Sequence, residues 1–356
     1  METLNGFKYI ELDNRDAKIE HKFPQPCRLY KYLSLNENSI SALVNGCLYA
    51  SHPLELNDSL DCTYKLWRTT VPLNKVNYFT LLNKKLGFSK EETLNVYTWD
   101  KKENFSVGNK YFHYFWLYLS EFYGIYSLSA EKNNSLMWGH YTNESGFQIE
   151  FNVTTLIENI KSNLKSQELL VGLYPINYVS SKDLKPINVA KYRGMKLPFM
   201  YSANLKQEEW SYEKEWRLIL SRLHMKFPGK EKGVSKDKLA RLNDSRKFNY
   251  CNGVNCINSI TVGPWFLFNS AIENKELGNS HLQVKLDSSK KGSLIRKLLN
   301  FVIENEISLF VSDTYIDEQN QSIQRQKLNT VLERINSNLF KIKIIGLHKH
   351  FNDSKI

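Results

Sequence analysis

The chain has 356 residues, which at roughly 150 residues per domain implies about two domains. Hydrophobic residues make up 42% and charged residues 24%, an ordinary globular balance that excludes a disordered or fibrous chain. The net charge of +11 points to an anionic partner, either nucleic acid or a nucleotide, set against a plain solvated basic surface.

Residues 1–26 read as a loose lead-in that closes on Phe23-Pro24-Gln25-Pro26. Met1 to Asp16 is polar and lacks the apolar stretch of a signal peptide. Leu29-Tyr30-Lys31-Tyr32-Leu33 alternates as a strand. Ser34 and Glu37 have capping-box spacing, so a helix is expected from Ser34, with Gly46 as a left-handed stop. Leu48 to Ser51 is a second short strand ended by Pro53, and Asn57-Asp58 forms a turn or closes over a nucleotide. Residues 64–123 are helical by pattern. Tyr111-Phe112-His113-Tyr114-Phe115-Trp116 reads as a buried helix there, a cofactor box being the sharper alternative.

Gly124 to Ser129 is the next strand, and alternation puts Ser127 and Ser129 on one face. Leu136 to Tyr141 is read as a loop, with His140 between aromatics. Gly146 to Phe151 is an alternating strand with Phe147, Ile149 and Phe151 on its apolar face. Residues Tyr174 to Val179 suggest a further strand. Lys182, Lys185, Lys191, Arg193 and Lys196 stand against Asp183 in a basic loop or helix. Trp210 to Leu220 is expected to be one strand, with Glu213, Glu215 and Arg217 on a single face.

Residues 222–247 hold nine Lys and Arg against Glu231, Asp237 and Asp244. Ser259 to Gly263 is a closing strand. After residue 280 the expected elements are a helix through Ile295, Leu298, Leu299, Val302 and Ile303, a strand from Ile307 to Val311, a helix from Leu328 to Ile335, and a strand from Phe340 to Leu347.

No run of 18 apolar residues is present, so no membrane span is expected. The five cysteines are scattered and odd in number, which implies a reducing, cytoplasmic setting. Neither Cys251 with Cys256 nor His348 with His350 makes a metal site. Phosphate-loop, dinucleotide, serine-hydrolase and zinc-protease motifs are missing. What remains is strand-borne: Tyr30-Lys31-Tyr32, Ser127-x-Ser129 and Glu213-x-Glu215. Two adjacent carboxylates repel unless a cation or substrate compensates, and Arg217 is the plain structural answer.

Leu29-Tyr30-Lys31-Tyr32 to Asn57-Asp58, Ser127-Leu128-Ser129, Met137-Trp138-Gly139-His140-Tyr141, Gly146-Phe147 to Glu150-Phe151, and Trp210 to Arg217 together resemble the bacterial family called domain of unknown function 2971, over about residues 27–265. Such families are often found near phage-defence loci. More distantly, the ordered basic residue, Ser-x-Ser and Glu-x-Glu strands resemble ADP-ribosyltransferases. This second resemblance implies an α+β fold with a core of mixed, mostly antiparallel sheets with helices over residues 27–280; the residue pattern outside it reads as an extension at 1–26 and a C-terminal α/β appendage at 281–356.

It also implies roles. Glu215 would stabilise a ribosyl cation formed from NAD, and Glu213 would orient or deprotonate the acceptor, which would be nucleic acid, protein or water. From its own setting between aromatics, His140 is read as binding substrate, donating a proton, or serving only as a hydrogen-bonded loop histidine. Ser127 and Ser129 would hold Glu215, Arg28 or Lys31 would neutralise pyrophosphate, and Tyr32, Trp138 or Tyr141 would stack on a ring. Where the transferases have His or Arg, Lys31 stands here, a point charge without the arginine fork. The expected activity is therefore an NAD-dependent ADP-ribosyltransferase or NAD glycohydrolase, as a defence or toxin effector. The alternatives are a metal-independent nuclease using Lys31, His140 and Glu213, and a non-catalytic nucleotide or nucleic-acid sensor.

Overall fold

The computed structural model describes residues 1–58, 60–69, 74–85, 87–103, 110–223, 225–226, 245–250, 254–278, 280–317 and 319–345. The fold is α+β, with helices set on mostly antiparallel strands, as the sequence leads one to expect. The chain divides into two compact units. The first is Met1–Gln25, Tyr49–Ser127 and Lys165–Lys247; the second is Pro26–Leu48, Leu128–Leu164 and Phe248–Ile356. A break falls between Gln25 and Pro26, beside the boundary expected before residue 27, but none falls near 281, and each unit is assembled from three separate stretches.

The first unit opens with a surprise for the sequence reading. Instead of a loose lead-in, strands Glu2–Leu4, Phe7–Glu11 and Ala17–Glu20 form an antiparallel sheet. Leu4 pairs with Phe7 across Asn5-Gly6, and both loop residues have positive φ, at 48° and 81°. A two-residue turn of that hand matches strand twist and favours Asn-Gly. Alternation then buries Phe7, Tyr9, Ala17 and Ile19.

Helix Lys196–Asn204 packs on that sheet, and helices Lys90–Lys102 and Lys110–Ser120 contribute to the same core. The aromatic helix is buried through Tyr111, Phe112 and Trp116, as its pattern predicts. Its first turn is capped from outside: the buried Asp100 carboxylate accepts from the backbone N–H of Lys110 and Tyr111, both at 2.6 Å, and from the Tyr78 hydroxyl at 2.7 Å. Three cations of the 182–196 segment face acids of the N-terminal sheet, in the pairs Lys191–Glu2, Arg193–Glu11 and Lys196–Asp16.

Buried Arg246 gathers the carbonyls of Ser120, Tyr123, Ala50 and Lys226 at 3.0, 3.2, 3.3 and 2.7 Å. The Ser245 hydroxyl donates to the Met225 carbonyl, and Arg222 donates to the carbonyls of Ser245 and Lys247. Most of the expected basic stretch 222–247 lies outside the described residues, as do Cys251, His348 and His350.

His52 is fully buried in the same unit. Its Nδ1 accepts from the Leu54 N–H at 3.0 Å, capping the short Pro53–Glu55 turn. Burial, helped by the positive charge of Arg246, holds its pKa down to about 3. The unfolded chain takes up that proton near pH 6.5, so the unfolded state binds more protons throughout the interval. This contribution to stability is therefore present above about pH 6.5 and lost as pH falls toward 3. Between pH 7 and pH 4 it amounts to about 3 kcal/mol. Urea midpoints should show wild type losing that much more than His52→Asn, whose side chain can still cap the turn; equal losses would refute the assignment.

In the second unit the strand order is Ile272–Gly278, His281–Leu286, Leu339–Ile345, Ser322–Asn336, Ser308–Asp317, Ile257–Val262, Phe147–Asn152 and Arg28–Leu33. All neighbours are antiparallel except Ile257–Val262 with Ser308–Asp317. The segment expected to close the sheet at Ser259 is thus central. The stretch Leu328 to Ile335, expected to be helical, belongs to a strand. Its apolar spacing fits either period, but β-branched Thr330, Val331 and Ile335 and two paired neighbours decide it. Helix Lys290–Glu304 buries Ile295, Leu298, Leu299 and Val302, as expected.

The first helix of this unit begins at Glu37, not Ser34. Asn36 and Ser39 form the capping box, at 3.0 and 3.2 Å, while the Ser34 hydroxyl donates to the Tyr141 carbonyl at 2.7 Å. Residues Leu136 to Tyr141, expected as a loop, lie in helix Ser135–Thr142, started by Asn134 and stopped by left-handed Asn143. Across the sheet, Phe147, Ile149 and Phe151 do share one face, but the opposite face is buried too: Gln148 and Glu150 are 0% and 8% exposed.

Candidate functional site

The strand carrying Glu215 does not begin where alternation suggests. Glu208–Glu213 is a 3-10 turn, Lys214 is left-handed at φ 43°, and the strand is Glu215–Arg222. Glu213 and Glu215 are therefore not alternating neighbours on one strand. A different residue unites them. Lys206, from strand Leu205–Gln207, places Nζ 2.6 Å from Glu213 Oε2 and 3.1 Å from Glu215 Oε2. Arg217 donates from Nε to Glu215 Oε1 at 2.8 Å and from Nη2 to Glu215 Oε2 at 3.1 Å. The same guanidinium grips Asp61 at 2.7 and 2.5 Å and the Ala203 carbonyl at 2.8 Å. The five side chains, three acids and two bases, are all buried.

Tyr178 pairs with Lys206 on the adjoining parallel strand, and its hydroxyl accepts from the Glu215 backbone N–H at 2.8 Å. Ser127, at the end of the first unit's stretch of strand Tyr123–Ser129, hydrogen-bonds the Glu215 carboxylate and is itself half-buried. That strand is the neighbour of Glu215–Arg222 in the sheet, which explains the meeting.

Taking ions out of water costs several kcal/mol each, so such a cluster survives only when every member is paired. Burial pushes the Glu215 carboxyl up, but Arg217, then Lys206, and the hydrogen bonds from Arg217 and Ser127 together hold it down at about 2. At Asp61 burial wins over the pull of Arg217, and its pKa lies above the ordinary carboxylate value. Burial would lower Lys206, yet Glu215, Glu213 and Asp61 leave it raised. Glu215 is thus a carboxylate at any ordinary pH, rigid and with both oxygens engaged.

Of the other expected residues, Asn57 and Asp58 lie in the first unit and the rest in the second. Arg28 is exposed, with Nη1 3.0 Å from Glu150. Tyr32 is buried, donates its hydroxyl to the Glu131 carbonyl at 2.9 Å, and meets the Trp138 ring edge-on at 5.4 Å. The Ser129 hydroxyl accepts from the Glu131 N–H at 3.0 Å, and Ser129 pairs with Tyr30. Lys31 lies opposite Ile149 and so shares the apolar face, away from the face of Arg28, Tyr30 and Tyr32. His140 is exposed on a helix rather than held in a loop. Asn57-Asp58 opens a turn in which Asp58 Oδ1 accepts from the Leu60 N–H at 2.9 Å.

Among the described residues, no group of three or more His, Cys, Asp and Glu is arranged to hold a metal ion. Cys27, Cys47, Cys62 and Cys256 are not joined in disulfides, and no helix there is long and apolar enough to cross a membrane.

Asp61, Tyr178 and Lys206 were missed. The demand that paired acids find a cation led to Arg217 but stopped one cation short, since three buried acids need more than one. Nothing in the sequence around Lys206 marks it as buried.

Neither the curated proteins nor the solved structures contain a match to this chain. Residues 137–218, which carry Trp138, His140, Tyr141, Lys206, Glu213, Glu215 and Arg217, match the family model described as Protein of unknown function (DUF2971), and to that family this part of the chain is similar.

Proposed function

We propose that the chain cleaves the nicotinamide–ribose bond of NAD and passes the ADP-ribosyl group to an acceptor or to water, in the manner of ADP-ribosyltransferases. The observation that supports this reading is the meeting of Ser127 with an ionised, immobile Glu215. When the C1′–N bond breaks, its electron pair leaves with the nicotinamide nitrogen, and the ribose ring carries the positive charge. A carboxylate fixed in a dry site stabilises that charge without reorganising. Both Glu215 oxygens already accept hydrogen bonds, so its role is that of a fixed field and not of a nucleophile.

Ser127, half-buried beside a buried carboxylate, is the side from which a ribose hydroxyl would approach. Glu213 would take the proton of the attacking acceptor or water as the new C1′–O bond forms. The paired cations of 182–196 argue against that segment as the nucleic-acid surface. Incubation of the full chain with NAD, alone and with protein or nucleic acid supplied, should release nicotinamide; no release under any of these conditions would overturn the proposal.

A further inference from the structure

One face of the second unit's sheet is polar as well as buried. Cross-strand partners Tyr30, Glu150 and Ser259 form one row on it, and Tyr32, Gln148, Thr261 and Phe310 form the next. Gln148 and Thr261 are completely buried, yet Gln148 Oε1 and Thr261 Oγ1 have no hydrogen-bond partner in the protein. The same holds for Nε1 of buried Trp138, whose ring stands against Tyr32. An unmatched buried polar atom costs about 1–3 kcal/mol, so three around one face demand a polar occupant.

The charges say which kind. Lys327 is 15% exposed, with Nζ 5.1 Å above the Tyr30 ring and 3.7 Å from Glu150 Oε2. Glu150 is already held by Arg28 at 3.0 Å, so one carboxylate faces two cations. Arg325 is satisfied separately by Glu144 at 2.9 Å and Ser312 at 3.0 Å. The accessible end of this face, at Arg28 (59% exposed), therefore carries an excess positive charge, and hydroxyl and indole donors lie further in.

We propose that this face binds a small oxyanion, the carboxylate or phosphate group of a ligand, with Lys327 and Arg28 supplying charge and Thr261 an inner hydrogen bond. Burial already strains the Lys327 ammonium, holding its pKa at about 8, and an anion would relieve that strain. Ordered water alone would satisfy the hydrogen bonds but not the charge. The inference does not rest on NAD cleavage, and its test contains no NAD.

Thermal unfolding of the full chain is followed at pH 7 against sodium phosphate, sodium acetate and sodium chloride at matched ionic strength. A saturable rise in midpoint with phosphate, acetate or both, beyond that with chloride, is expected, and the arm that responds identifies the group. Lys327→Met fills the same space against Tyr30 and Phe310 and should weaken the response about tenfold or more while leaving the unliganded midpoint equal or higher. Thr261→Val, similar in shape, should weaken it less. Absence of any response beyond chloride, or an undiminished one in Lys327→Met, would overturn the inference.

Discussion

Replacing Arg217 with leucine should destabilise the first unit by about 3–5 kcal/mol, the cost typical of breaking a buried ion pair by removing one partner. The guanidinium makes five hydrogen bonds: two to Asp61, two to Glu215 and one to the Ala203 carbonyl. Leucine fills part of the volume and replaces none of them. Three buried carboxylates would then share Lys206 alone. Asp61, 4.0 Å from Lys206, is the most exposed to the loss and would be expected to fold only as the neutral acid. Arg217→Lys keeps a charge but loses the fork that spans Asp61 and Glu215, so it should recover only part of the stability. Since domains are stable by about 5–15 kcal/mol, the leucine variant sits near the threshold of folding. Urea unfolding measures the difference directly, and a loss below about 1 kcal/mol would show that the cluster is not what holds this unit.

The second large effect concerns chemistry. Glu215→Gln keeps the size of the side chain but removes its charge and one of its two accepting oxygens. Nicotinamide release from NAD should fall about 10²–10³-fold, the range seen when one preorganised electrostatic contact to a developing charge is lost. Stability should fall much less than in Arg217→Leu, because Asp61 and Glu213 still face the two cations. Glu213→Gln separates the two acids: if Glu213 serves the acceptor, transfer should decline more than bond cleavage. With its pKa at about 2, Glu215 should contribute no inflection to the rate profile between pH 4 and 8. Equal nicotinamide release by wild type and a folded Glu215→Gln would remove Glu215 from the chemistry and leave it a structural ion.

What could be read from the residues follows the reach of each signal. The strand through Phe147, the aromatic helix at Tyr111 and the helix at Ile295 were legible because period and burial coincide there. Glu213-x-Glu215 misled in detail: the alternation on either side was carried across charged Lys214, where the pattern breaks, the backbone turns left-handed and the strand starts one residue later. The N-terminal sheet was legible in principle from Asn5-Gly6 between alternating runs, a turn signal outweighed by the polar look of the segment. Ser127 hydrogen-bonds Glu215, whereas Ser129, expected to do the same, bonds the Glu131 backbone. Lys31 does not share a face with Tyr30 and Tyr32, because one step along a strand reverses a side chain. Lys206, Asp61 and Lys327 were invisible, since a buried charge is defined by partners far away in sequence.

The clasp of Arg246 and Arg222 has an engineering consequence. Residues 225–226 and 245–247 are tied to one another by Ser245 to Met225 and Arg246 to Lys226, so the chain departs and returns at nearly one point. The closure cost of a chain held at both ends grows only slowly with the length between them, so it is the clasp that sets it. Arg246 and Arg222 are therefore the two residues to keep in any engineered variant of this unit.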